Sequence, residues 1–275
     1  MYIKFPGGKS KVLTLSYDDQ PIEDIRLISI LNKYGIKATF NINTGLYCPE
    51  DFTRENGRGA MKLSEARALY TNSGHEVAVH TLNHLFLDRL KTDELIMEVM
   101  LDRTNIEAQY GTLARGLAYP YGTCNDEVID VLKKCGICYA RTGRETETFW
   151  FPKNWLALDP TCHHNNPKLM ELAKTFVEHR NRHIGQNWLF YVFGHSFEFE
   201  NDNNWGRIEN FAAYVGGRED IWYATNIEIY DYVTAYRNLQ TSADKKIVHN
   251  PSFMDVWFHH QGEMHCVKGG QTLYL

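Results

Sequence analysis

No run of roughly 18 apolar residues occurs anywhere in this chain, so it offers no candidate for a helix that crosses a bilayer. Its first residues, MYIKFPGGKSK, lack the apolar core of a secretory signal; the expectation is a cytoplasmic protein with no membrane partner. Basic clusters are missing as well. With 29 Lys and Arg against 34 Asp and Glu, and a formal charge of −5, there is no basic stripe for a polyanion, and nucleic acid is not expected as a partner. Cysteine is sparse. Six in 275 residues are not needed as staples in a chain long enough to bury a large core, so free thiols are expected. Internal repeats and low-complexity tracts are absent, which removes solenoids and linkers.

Two short stretches mimic motifs that their surroundings do not support. CGIC at 135–138 has redox spacing, but its first Cys closes a predicted helix and its second opens a strand, whereas a redox pair opens a helix after a strand. GGKS at 7–10 resembles the end of a phosphate-binding loop, yet Ile3 stands where the first Gly belongs and the strand follows instead of preceding.

What is present is alternation. Apolar, β-branched and aromatic runs predict strands at 12–17, 37–42, 75–80, 116–120, 137–142, 154–158, 187–194 and 221–225. Helical periodicity fills several gaps and stops at Gly35, Gly74, Gly111 and Gly136, with Ser64, Thr92 and Asn125 as N-cap candidates. Strand followed by helix, repeated, implies parallel strands, and seven or eight such units imply an α/β fold, a closed or nearly closed (β/α) barrel over 1–242. From 243 the pattern becomes short strands and turns, read as a small C-terminal β appendage, 243–275, packed on the barrel.

In parallel α/β folds reactive groups gather at the carboxyl ends of the strands. There this chain collects Asp18 and Asp19, His80 and His84, YPYG at 119–122, Arg141 and His195. Adjacent carboxylates repel at a sheltered site unless a cation or a shared proton offsets them. A His-x-x-x-His pair with one carboxylate makes a facial set of three metal ligands, leaving a vertex for an activated water. Taken singly, each piece has an ordinary explanation: paired Asp caps turns, and a lone His is usually a core residue. Their joint placement on one rim does not. The remaining histidine groups, CHH at 162–164, HRNRH at 179–183 and FHH at 258–260, show no such arrangement and read as surface or structural.

LSYDDQ, HTLNH, AYPYG and FGHSFEF, in that order, resemble the motifs of the polysaccharide deacetylase family, the NodB-homology carbohydrate esterases, across about residues 10–235. The resemblance implies a distorted (β/α) barrel and a divalent metal, commonly zinc, that hydrolyses N-acetyl groups of amino sugars. Carried over by position, Asp19, His80 and His84 would hold the metal and Asp18 would be the base. The backbone N–H of Tyr121 would steady the oxyanion, and His195 would protonate the departing amine. Pro120, Tyr121 and Trp155, the last in NWLALD at 154–159, would border the substrate.

Three departures stand out against that family. Ala118 occupies the place where an Arg usually pairs with the base, and Arg141 at the end of the next strand is the expected replacement. Gln20 replaces the usual Gly after the acid pair, and Glu198, three residues past His195, is a candidate orienter of that imidazole. A soluble N-acetylated sugar or other small amide suits a chain without a leader. The competing readings are a C–N hydrolase on a non-sugar amide or cyclic ureide, and a carbohydrate-binding barrel without turnover.

Overall fold

In the computed structural model, which describes residues 1–53, 58–180 and 185–275, the apolar runs form strands and most of the periodic stretches form helices. In chain order the elements are β1 (Tyr2–Lys4), β2 (Lys11–Asp18), α1 (Asp24–Lys33), β3 (Ala38–Ile42), α2 (Leu63–Tyr70), β4 (Glu76–Val79), α3 (Thr92–Tyr110), β5 (Gly116–Ala118), α4 (Asp126–Lys134) and β6 (Tyr139–Arg141). There follow β7 (Cys162–His163), α5 (Leu169–Glu178), β8 (Trp188–Gly194), α6 (Ser196–Asn201), α7 (Gly206–Val215), β9 (Ile221–Tyr223) and α8 (Asn226–Arg237). The chain ends with β10 (Gln240–Thr241), β11 (Ile247–His249), β12 (Val256–His260), β13 (Glu263–Val267) and β14 (Thr272–Tyr274).

Every residue of β2 is buried, as its unbroken apolar character requires of a strand covered on both faces. It is the centre of a parallel sheet ordered β6-β5-β4-β3-β2-β8-β7. Its first residues pair with β9 and its last with β3 along one edge, while β8 runs along the other. The sheet curls into a distorted barrel. Its seam is bridged by residues 158–163: Leu158 pairs with Arg141 of β6, and Cys162 and His163 pair with Val192 and Phe193 of β8.

That seam corrects one expectation. The predicted strand at 154–158 is a 3₁₀ turn at Trp155–Ala157, because the Asn154 side chain accepts the Leu156 N–H at 3.0 Å and folds the chain back. Only Leu158 is extended into the ladder, and β7 takes the strand position. Asn125 caps α4, accepting from Val128 N–H at 2.9 Å. Ser64 and Thr92, by contrast, lie inside α2 and α3. Lys62 and Lys91 are the N-caps there, their backbone N–H groups satisfied by the Glu65 and Glu94 carboxylates at 2.8 and 3.1 Å.

After α8 two small antiparallel sheets form, β10-β11-β14 and β1-β12-β13. The second includes the strand that opens the chain, and β10 precedes residue 243, so the terminal strands are stitched to both ends of the barrel sequence. All six cysteines are free thiols. Burial pushes the Cys135 thiol up, the opposite of what a redox pair needs, and Lys9 of GGKS donates to Ile221 O at 3.1 Å. Among the described residues no helix is long and apolar enough to cross a membrane.

Candidate metal centre at the strand ends

β2 ends on Asp18, and the chain then turns through two non-glycine residues in the left-handed region, Asp19 at φ 74° and Gln20 at φ 40°. Each such residue costs on the order of 1–3 kcal/mol unless its surroundings hold it. They do. The Gln20 amide clamps the Asn43 backbone, donating to its carbonyl at 3.0 Å and accepting its N–H at 2.7 Å, a contact a Gly could not make. The turn splits the pair: Asp18 is buried at 4% exposure, while Asp19 is about one-third open.

The HTLNH loop after β4 is bent in the same way, with Thr81 at φ 67° and His84 at φ 55°. Helix α3 holds it from below. Asp102 accepts the His80 N–H at 3.1 Å and the Thr44 N–H at 2.8 Å, and Glu98 accepts the Asn83 N–H at 2.8 Å. Just past β3, Asn43 donates to the carbonyls of His80 and Thr81. Burial pushes the Asp102 carboxyl up to about 7 against these donors.

These loops bring Asp19, His80 and His84 together, with one ligand atom from each lying within 4.8 Å of the others. Asp19 Oδ1 is 3.5 Å from both His80 Nε2 and His84 Nε2. Ligands about 2.0–2.2 Å from a tetrahedral ion stand about 3.4 Å apart, so the spacing suits a divalent metal. His80 Nδ1 lies 2.8 Å from Ala118 O, which can only accept, so Nδ1 carries the proton and Nε2 turns its lone pair toward Asp19. Burial keeps this ring neutral by lowering its pKa.

Asp18 sits beside this set. Burial alone would raise its carboxyl, but the Arg141 guanidinium, with His80 and His195, holds it below the usual range. Arg141 hydrogen-bonds Asp18 Oδ2, and Asn41 donates to Oδ1 at 2.8 Å. Arg141 stands in register with Ala118 across the β5–β6 ladder, so a guanidinium on either strand starts from the same level. Phe193 stacks beneath it, 4.8 Å from the ring centroid. His195 Nε2 approaches from β8, 3.9 Å from Asp18 Oδ2 and 3.7 Å from Asp19 Oδ2.

A second cluster, His163, His164 and Glu198, was not legible from the chain order. It differs from the first in its protons. His163 Nδ1 accepts the Asn165 N–H at 3.1 Å, so its Nε2 carries the hydrogen and points at Glu198 Oε2, 3.2 Å away. A nitrogen with a proton on it is a donor to the carboxylate, not a metal ligand. The CHH histidines, read as surface or structural, surround the carboxylate that touches His195.

Asp19, His84 and Tyr121 line a cavity of about 620 Å³, with Asn43, Arg58 and Phe197 on its walls. Tyr121 is left-handed at φ 59° and stacks on Phe86 with ring centroids 3.7 Å apart. Pro120, in the same turn, is buried. Trp155 is not among the residues lining this cavity: the turn that replaced its strand buries it against Tyr230 in the cluster around Tyr139 and Tyr191. His179 stacks on Trp188, His259 and His260 lie on β12, and His183 lies outside the described residues.

Comparison with known proteins gives this arrangement a lineage. The Polysaccharide deacetylase family model matches residues 6–140, which contain the acid pair, the HTLNH loop and the YPYG turn. Over those residues, just under half of its length, the chain is similar to the polysaccharide deacetylase family. Among curated relatives, Chitin deacetylase 1 of Cryptococcus neoformans var. grubii is 29% identical over 126 residues, 45% of this chain and 24% of that protein. Uncharacterized protein YlxY of Bacillus subtilis is 30% identical over 108 residues, 38% of this chain and 29% of its own length. The matches thus span less than a third of either relative. A putative polysaccharide deacetylase from Mycobacterium smegmatis superposes with a TM-score of 0.58 at 16% identity, covering 86% of this chain and 94% of that one, and so shares its fold.

Proposed function

We propose that this deacetylase-like chain hydrolyses an N-acetyl group on an amino sugar or polysaccharide, using a divalent metal, zinc by the chemistry of the donors, held by Asp19, His80 and His84. The observation that carries the reading is the approach of those three ligand atoms to within 4.8 Å of one another beside a buried carboxylate and an imidazole. Bound there, a divalent ion supplies Lewis acidity to a water and to the amide carbonyl.

The chain's own groups account for the rest. Asp18, ionised and fixed by Arg141 and Asn41, accepts the proton that the attacking water loses. As the water oxygen bonds to the carbonyl carbon, charge moves to the carbonyl oxygen, where the backbone N–H of Tyr121 donates; such a donor is worth about 2.7–4 kcal/mol. His195 Nε2 then gives a proton to the nitrogen as the C–N bond breaks and the electron pair leaves with the amine. Burial disfavours a charged His195, but Glu198, Asp18 and Asp19 outweigh it and raise its pKa, which suits an acid. The products are acetate and a free amine. The cavity, about 620 Å³, falls within the usual range for a small-molecule site and admits a sugar unit.

Acetate release from N-acetylglucosamine oligomers, measured before chelation, after it and after zinc is restored, tests this reading. Release that stops and returns supports it; none under any condition, from oligomers that nevertheless bind, would leave a carbohydrate-binding barrel.

A further inference from the structure

We propose that Glu198 is the positioning residue for His195, as the middle member of an array His163–Glu198–His195 in which two imidazole N–H groups grip one carboxylate from its two oxygens. This rests on the reading of His195 as the acid that serves the leaving amine, and it adds the groups that aim that acid.

His195 is the N-cap of α6, and Glu198, three residues on, reaches back to it twice. Glu198 Oε1 lies 3.3 Å from His195 Nδ1, and Oε2 takes the His195 backbone N–H at 3.3 Å. From the other side, at the end of β7, His163 Nε2 lies 3.2 Å from Oε2, and its tautomer is set by the Asn165 N–H on Nδ1. His164 closes the third side. Its Nε2 is 3.0 Å from Oε2, and its ring is fully buried between Tyr17 and Phe199, with centroids 5.7 and 4.0 Å away. Residue 194 leaves the space for it: a Cβ on Gly194 would stand 2.2 Å from His164 Nδ1.

The consequence is a defined direction for one proton. A carboxylate facing Nδ1 requires the hydrogen there, since a lone pair would repel it, so Nε2 is the nitrogen left to face Asp18 and Asp19. When Nε2 gives its proton to the amine nitrogen, the neutral ring keeps Nδ1–H on Glu198 and does not rotate. The anion is also well supplied: burial would raise Glu198, but His163, His164 and His195 together hold it far below the usual carboxylate range.

Proton and nitrogen NMR of the histidine rings reads this without turnover. In the wild-type chain a downfield Nδ1–H resonance is expected, assigned to His195 by its loss in His195→Ala. It should move strongly upfield in Glu198→Gln and partly in His163→Leu, at a side chain about one-fifth exposed. A second readout separates positioning from support of the fold. Glu198→Gln should lose amide turnover by about 10²-fold or more at an unchanged KM, yet keep hydrolysis of p-nitrophenyl acetate, whose phenolate leaves without a proton. No downfield resonance in the wild type, a resonance indifferent to Glu198→Gln, or equal losses on both substrates would overturn the proposal. If the wild type cleaves no amide at all, the acid role of His195 fails, and the ring resonances alone still decide what Glu198 does.

Discussion

Asp18 and Asp19 are neighbours in the chain but not in their electrical surroundings. One is buried under a guanidinium, the other opens toward two imidazoles, and the left-handed turn between them makes the difference. Asp18→Asn, nearly isosteric, should therefore abolish acetate release while bound metal, measured by mass spectrometry, stays in place; loss of metal would mean the two acids exchange roles. Arg141→Leu leaves the Asp18 charge buried without its partner, and urea unfolding should show a loss of about 3–5 kcal/mol. The candidate ligands were legible because an acid pair and spaced histidines fall together at strand ends. Asn41, Asn43 and Asp102, which hold them, were not, since a buried amide or acid announces nothing until its partner arrives from another strand or helix. His163 and His164 escaped for the same reason, their partner lying on α6.

At the scale of elements, strands covered on both faces were readable as apolar runs, and so were helices that end on glycine. The seam was not. NWLALD carries the composition of a strand, but the local Asn154 hydrogen bond outweighs propensity and makes a turn, taking Trp155 away from the cavity. The ladder between β5 and β6 explains why moving an Arg from position 118 to 141 remains compatible with a guanidinium on Asp18, a relation visible only once the register is known. Strand β4 opens with a half-buried acid, Glu76, which accepts from Thr39, Tyr139 and the Ile227 N–H. Burial pushes it up from 4.5 to about 7. A folded-state value above the unfolded one means the folded chain holds the extra proton, so this contribution is complete below pH 4.5 and is lost as pH rises through about 7. The urea midpoint should fall across that window, and Glu76→Gln should flatten the fall.

At the scale of the molecule, the parallel barrel followed from alternation, while the stitching of β1 to the terminal strands did not, since antiparallel pairing between chain ends leaves no local mark. The barrel's role is to bring loops from β2, β4, β5, β6 and β8 to one rim with their strained turns already formed, so that little ordering remains when a ligand enters. Two histidine–carboxylate clusters result among the described residues, and their hydrogens set them apart: one presents lone pairs, the other N–H groups. Calorimetric titration of the chelator-stripped chain with zinc tests that distinction most directly. One equivalent per chain, lost in His84→Ala and retained in His163→Leu, is the expected result; no binding, or an equivalent that survives His84→Ala and vanishes in His163→Leu, would contradict it.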